Sequence, residues 1–337
     1  MQENFMKPPL IFKGDARYTY ASGVIRGLEP YLLTKSDYQK IIDADINQLT
    51  TVLSELGYGG GEHHPEHALD IATDNLFALI DKLSQDRIFT DAIKLRYDFQ
   101  KAGVILKSRF FEKPLPELPL WGMLPDDELI SGVESILNGE KSNLPDVLVG
   151  GILSARKAFS TYNSPNAIEI ALDSEYCKHL QSVIPEGEFF QRWMRIYADW
   201  LNVKAFVRIS LADMQMKVFR EFFVECGDIP EKKFAEAEEL GAEHFSSVFS
   251  NTEYGKELSD ALKKAVDKNL SAIDTLFRIK LISLYKYTKY CPYGLELLWS
   301  YSLLKMEEIG VLRTILRTKL ADIPIDFARE VISIVVE

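Results

Sequence analysis

A pattern of alanine, one variable residue and aspartate, followed by an apolar helical face, occurs three times along this chain. Its copies are "IATDNLFALI" from Ile71, "IALDSEYCKHL" from Ile170 and "KAVDKNLSAI" from Lys264, with aspartates at Asp74, Asp173 and Asp267. The apolar landmarks Tyr38, Leu129 and Phe234 precede the copies, and the segments "YDFQKAGVILK", "YADWLNVKAFVR" and "LKMEEIGVLRT" follow them. Because three ordered sets recur about every 100 residues, the sequence predicts three related units, at 1–118, 119–226 and 227–337.

The spacing of apolar residues between these landmarks is that of helices. Apolar side chains recur every three or four positions in long stretches such as "FFQRWMRIYADWLNVKAFVRI", and alternating strand patterns are nearly absent. The fold class is therefore predicted to be all-α. The repeat is longer than the roughly 20–50 residues of common solenoids, so each unit is expected to be a bundle of several helices.

Charge and composition exclude several classes of function. The net charge of −11 argues against a nucleic-acid partner, because such proteins usually carry a basic face. The sequence contains no run of about 18 uncharged apolar residues, so it predicts no membrane span. The three cysteines, Cys177, Cys226 and Cys291, are far apart and form no C-x-x-C pair, which indicates reduced thiols in a cytosolic protein.

A histidine-rich stretch, "ELGYGGGEHHPEHALD" from Glu55, offers the clearest candidate for a metal site. His63, His64 and His67 could bind zinc, but the H-E-x-x-H arrangement requires two histidines one turn apart on one helix. Pro65 suits the first helical turn, so it places His63 and His64 ahead of the helix. The glycines lack the Lys-Ser or Lys-Thr of a phosphate-binding loop. We interpret the stretch as a linker and helix start, with no metal bound.

Charged residues on the predicted helices are candidates for two other roles. Asp70 and Asp74 lie one turn apart and could act as an acid/base pair, although the recurrence of Asp74 favours a structural role. Basic residues lie late on the long helix of each unit, at Lys107, Arg109, Arg208, Arg313, Arg317 and Lys319. They are either solvated charges near helix C-termini or a set of basic clusters that binds an acidic partner.

Both ends of the chain resemble one known family. The C-terminal segment "PYGLELLWSYSLLKMEEIGVLRTILRTKL" is similar to the end of the C subunit of archaeal and V-type ATPases, which is called d in the vacuolar enzyme. Tyr18, Ala21, Arg26, Leu33 and Tyr38 agree with the start of that family. The resemblance extends over nearly the whole chain.

The resemblance implies a funnel of three similar helical bundles with pseudo-threefold symmetry. A protein of this family lies peripherally, on the cytoplasmic face of the membrane, between the central-stalk subunits and the ring of proteolipid subunits. It transmits torque for ATP-linked transport of H⁺ or Na⁺ without a catalytic residue, a cofactor or a metal. Two alternatives stay open from the residues alone: a free-standing helical scaffold, and a metal-dependent enzyme that uses His63, His64 and His67.

Overall fold

The computed structural model describes residues 10–59, 64–118, 121–267, 269–321 and 332, and these residues form helices and no strand. The all-α prediction is confirmed for this part of the chain. The helices of the N-terminal part are α1 (Thr19–Leu28), α2 (Lys35–Asp43), α3 (Leu49–Glu55), α4 (Pro65–Leu83), α5 (Arg87–Thr90) and α6 (Ala92–Phe110). Those of the middle part are α7 (Asp126–Leu137), α8 (Asp146–Tyr162), α9 (Pro165–Val183), α10 (Glu188–Leu211) and α11 (Lys217–Phe222). Those of the C-terminal part are α12 (Glu231–Leu240), α13 (Phe245–Phe249), α14 (Gly255–Val266), α15 (Ser271–Lys286) and α16 (Leu295–Leu320).

Spatial contacts divide the described residues into two compact units. The first contains those of Met1–Thr90, Gly187–Phe190 and Arg278–Glu337, and the second those of Asp91–Glu186 and Gln191–Phe277. In the first unit, α16 packs against α1 and α4. In the second, α9 packs against α6 and α8. The division into 1–118, 119–226 and 227–337 is based on sequence similarity, and it stays a prediction.

Proline and capping residues explain where the central helices begin. Pro65 is the first residue of α4 and Pro165 the first residue of α9, as the sequence predicts. At this position the missing N–H is not needed and the fixed φ of proline suits the helix. The Ser164 hydroxyl accepts a hydrogen bond from the Asn166 N–H at 3.2 Å and caps α9.

The upstream landmarks of the repeat occupy matching positions in the fold. Tyr38, Leu129 and Phe234 lie on α2, α7 and α12, and each is at most 1% exposed. The third Ala-x-Asp landmark is placed differently from the prediction, because Asp267 follows the last residue of α14. The helix that precedes the long α16 is α15, and it contains Ala272, Ile273 and Asp274. Asp274, like Asp173 on α9, thus lies on the helix that precedes a long helix.

The hydropathy of the helices bears on whether the chain crosses a bilayer. Among the residues that the structure describes, no helix is both long enough and apolar enough to span a membrane. The 26-residue α16 is long, but acidic and basic residues recur along it.

Candidate functional site

Two of the predicted partner-binding cations share one carboxylate in the second unit. The Lys107 ammonium lies 2.6 Å from the Glu169 carboxylate, and the Arg208 guanidinium lies 2.7 Å from its other oxygen. Burial raises the pKa of Glu169, but the hydrogen bond from Lys107 and the charges of Lys107 and Arg208 outweigh burial and lower the pKa overall. Glu169 is therefore held as a carboxylate between α6 and α10.

The remaining four cations occupy different surroundings. Arg109 forms an ion pair with Glu134, and Arg313 donates to Asp70 at 2.8 Å with both side chains mostly buried. Lys319 donates to the carbonyl oxygens of Ile42 and Ala44 at 2.6 Å each, at the end of α2. Arg317 is exposed on α16, and none of the described acidic side chains forms an ion pair with it. Five of the six predicted residues thus make contacts within the chain.

The histidine-rich stretch is described only in part. His64 is the residue before α4 and His67 lies in its first turn, and neither is buried. His63 and Glu62 lie outside the described residues. Within the described ranges, no group of three or more histidine, cysteine or acidic residues is arranged to hold a metal ion. Asp70, considered above with Asp74 as an acid/base pair, is the ion-pair partner of Arg313.

Two buried aspartates hold the loops that lead into α7 and α12. Asp98 on α6 accepts hydrogen bonds from the N–H groups of Met123 and Leu124, at 2.9 and 3.4 Å. Asp199 on α10 accepts from the N–H groups of Asp228 and Ile229, both at 3.0 Å. Each aspartate is fully buried. The same contact therefore occurs twice, 101 positions apart in the sequence (199 − 98).

Glycines allow these two loops to approach the aspartates. Gly122 and Gly227 precede the donating residues, and a Cβ atom added at either glycine would overlap the Oδ1 atom of Asp98 or Asp199. The local sequences are "GMLPD" from Gly122 and "GDIPE" from Gly227. This shared pattern of glycine, two residues, proline and an acid is a signal that the sequence analysis missed.

A third buried carboxylate, Glu308 on α16, holds the loop that leads into α2. Its Oε2 atom accepts a hydrogen bond from the Leu33 N–H at 2.5 Å, and its Oε1 atom accepts from the Tyr58 hydroxyl and the Lys305 ammonium. Glu308 is 2% exposed. We refer to Asp98, Asp199 and Glu308 as the three acceptor carboxylates.

Tyrosines support two of the three acceptor carboxylates. The Tyr254 hydroxyl donates a hydrogen bond to Asp199 at 2.8 Å. The Tyr58 hydroxyl likewise donates a hydrogen bond to Glu308. Burial raises the pKa of both tyrosines and the neighbouring carboxylate raises it further, so both remain donors at neutral pH. Both occur in a Tyr-Gly pair, and the glycine of each pair has a positive φ. The segment around Tyr58, which the sequence analysis interpreted as a linker, thus contributes a buried contact.

Replacing Gly227 with alanine is expected to lower the free energy of unfolding by about 1–3 kcal/mol, because the new methyl group overlaps the Asp199 carboxylate. Urea denaturation measures the change. The matched control is Gly150→Ala on α8, where a Cβ atom meets nothing within 4 Å. That control should be neutral or stabilising, since alanine favours helices. Equal effects of the two substitutions would contradict the close approach.

Comparison with known proteins adds evidence that is independent of these contacts. The sequence model of the family described as ATP synthase (C/AC39) subunit matches residues 21–331 of the chain. The C subunit of the A-type ATP synthase of Methanosarcina acetivorans is 23% identical, and the alignment covers 92% of this chain and 91% of that protein. The C subunit of the A-type ATP synthase of Methanococcoides burtonii is 20% identical, with 93% of each chain covered.

Proposed function

The chain belongs to the ATP synthase (C/AC39) subunit family, and from this membership we propose that it is a non-catalytic rotor subunit of a rotary ATPase. In this role it couples the central stalk to the membrane rotor ring during ATP-linked transport of H⁺ or Na⁺. The observation that carries the proposal is the extent of the family match, from residue 21 to residue 331. Two relatives named as C subunits of A-type ATP synthases align with more than nine-tenths of their length.

The proposed partners are the central-stalk subunits on one side and the ring of proteolipid subunits on the other. The chain would then lie peripherally, on the cytoplasmic face of the membrane. Torque would pass through the protein body rather than through a chemical step, so neither a cofactor nor a catalytic residue is required. Membership of the family supports these partners, this location and this way of transmitting torque.

The three acceptor carboxylates suit a part that transmits torque. In each case a long helix holds the loop that leads into another helix: α6 with α7, α10 with α12, and α16 with α2. Hydrogen bonds to buried charges are among the stronger contacts in proteins and hold a single geometry. The equivalent contacts of Asp98 and Asp199, which lie 101 positions apart (199 − 98), support the proposed division at 1–118, 119–226 and 227–337.

Among the six basic candidates, Arg317 offers the cleanest test of partner binding. Charge reversal at Lys107, Arg208 or Arg313 would place like charges beside Glu169 or Asp70, so it would disturb the fold as well as any interface. Arg317 is exposed and lacks such a partner among the described residues.

We expect Arg317→Glu to weaken binding of the purified stalk subunits by about 2–10-fold, with a reduced salt dependence, because a rim charge acts mainly on association. Surface plasmon resonance measures the affinity and circular dichroism the fold. Lys256→Glu, a reversal at another exposed position, is the matched control. Equal affinities of Arg317→Glu and the unaltered chain would remove Arg317 from the interface.

The proposed function is tested by isolating the tagged chain from native membranes solubilised in a gentle detergent. Mass spectrometry identifies the partners, and an ATPase assay measures the activity of the isolated complex. The proposal requires recovery of a small, very hydrophobic ring protein together with stalk and nucleotide-binding subunits. Recovery of the chain in the soluble fraction without ATPase subunits would instead favour a free-standing scaffold.

A further inference from the structure

A cleft of about 380 Å³ opens in the second unit between α6, α9 and α10. This volume falls in the range of sites that hold small molecules. Its walls combine aromatic side chains, among them Phe99, Tyr176 and Trp200, with charged ones. The cleft contains Lys107, Arg208 and Glu169, but the torque-transmitting role proposed above assigns it no ligand.

The charges that line the cleft do not balance. Four basic side chains, those of Arg96, Lys107, Lys204 and Arg208, face two acidic ones, those of Glu169 and Asp173. The lining therefore carries a formal excess of two positive charges, one of which, that of Lys204, is paired with Asp274 outside the lining. Opposite charge is attracted strongly into such concave, partly desolvated sites.

Arg96 is the basic group best placed to bind a ligand. Its guanidinium lies 5.4 Å from the ring centre of Tyr197 and 6.0 Å from that of Trp200, and these aromatic contacts orient it. It forms no hydrogen bond or ion pair within the described part of the chain, whereas Lys107 and Arg208 are bound to Glu169 and Lys204 to Asp274. An oriented guanidinium with free N–H groups matches the two oxygens of a phosphate or carboxylate.

Comparison with the contact between α10 and α15 explains why the cleft is open. There, Lys204 and the Trp200 indole N–H reach Asp274 at 2.8 and 2.7 Å. The residues 101 positions before Lys204 and Trp200 are Gly103 and Phe99, and they line the cleft together with Asp173, which lies 101 positions before Asp274. Neither Gly103 nor Phe99 can donate a side-chain hydrogen bond. The space that a lysine side chain fills in one contact is therefore empty in the other.

We propose that this cleft binds a small phosphate-bearing molecule, with Arg96 contacting the phosphate oxygens and Trp200 and Phe99 flanking the rest of the ligand. A phosphate monoester carries a charge of about −1.5 to −2 near neutral pH, which the positive excess of the cleft attracts. Lys107 and Arg208 add attraction without leaving Glu169. The inference goes beyond the proposed rotor role and does not depend on it.

The test is calorimetric titration of the purified chain with AMP. Inorganic phosphate and adenosine, which correspond to the two halves of AMP, are titrated separately. We expect saturable 1:1 binding of AMP that weakens at least 10-fold in Arg96→Ala. If inorganic phosphate binds as tightly as AMP, the ligand of the cleft is free phosphate. If phosphate binds more weakly than AMP, the ligand is an organic phosphate monoester. Either result supports the site. Binding of adenosine alone, or no saturable binding, would overturn the proposal.

Gly103→Lys provides a second variant that separates cleft binding from general attraction to basic residues. Lysine is a better helix former than glycine, and the Cβ atom lies 3.1 Å from the Leu172 Cδ1 atom, so a small shift accommodates it. The new side chain fills the cleft, and AMP binding should be lost although the positive charge rises. Unchanged or tighter binding would overturn the proposal. Arg109→Gln, which removes a cation outside the cleft on the same helix, should bind AMP as the unaltered chain does.

Discussion

Replacing Glu308 with alanine is expected to lower the free energy of unfolding by about 3–5 kcal/mol, as measured by urea denaturation. The substitution leaves the Lys305 ammonium, the Tyr58 hydroxyl and the Leu33 N–H without their acceptor. Lys305 is only 18% exposed and lies 4.5 Å from the centre of the Tyr58 ring, so water replaces the carboxylate poorly. Loss of one partner in a buried charged contact has a large effect because the other charge stays buried.

Two further variants make the Glu308 prediction specific. Glu308→Gln keeps one acceptor oxygen and should lose less stability than Glu308→Ala. Glu239→Ala removes an exposed glutamate from α12 and should change the free energy by less than about 0.5 kcal/mol. A loss below about 1 kcal/mol for Glu308→Ala, similar to that of Glu239→Ala, would show that this buried contact does not stabilise the protein.

Deprotonation of Asp199 is expected to remove a stabilising contribution to folding as the pH rises. Burial raises the pKa of Asp199 from 3.8 to about 6, although three hydrogen bonds oppose that rise. Because the pKa is higher in the folded state, the folded protein holds this proton more tightly than the unfolded chain. The contribution is therefore complete below about pH 4 and is lost as the pH rises through about 6. Since one pKa unit corresponds to about 1.4 kcal/mol, the expected loss is about 3 kcal/mol.

Asp199→Asn isolates this contribution, because asparagine does not titrate. The free energy of unfolding of the unaltered chain minus that of Asp199→Asn should fall by about 2–3 kcal/mol between about pH 4 and pH 7. Asp74→Asn, at an exposed position of α4, should leave the pH profile unchanged over that interval. Parallel profiles for the unaltered chain and Asp199→Asn would contradict a raised pKa at Asp199.

The order and type of the helices could be predicted from the sequence because burial of one face imposes a spacing of three or four residues. The starts of α4 and α9 could also be predicted, because proline is the first residue of both helices. The position of the third Ala-x-Asp landmark could not be predicted, because Asp267 follows the end of α14 and a second Ala-x-Asp, at Ala272–Asp274, lies in α15. The order of helices in the fold favours Asp274 as the landmark, since α15 precedes the long helix α16.

The surroundings of the predicted basic residues could not be derived from the sequence. Lys107 pairs with Glu169, 62 positions away, and Arg313 with Asp70, 243 positions away. Helical periodicity indicates which face of a helix a residue occupies, but not which helix packs against that face. The acceptor carboxylates were missed for a similar reason, because periodicity alone does not predict a buried aspartate that binds a distant loop.

The central claim, that the chain couples ATP chemistry to the rotor ring without catalysing it, is tested most directly in native membrane vesicles. ATP hydrolysis and the ATP-driven membrane potential, which reports H⁺ or Na⁺ movement alike, are measured with and without the chain. We predict that vesicles lacking it develop no ATP-driven potential although the detached catalytic part still hydrolyses ATP, and that added chain restores the potential. An ATP-driven potential that persists without the chain would contradict the account.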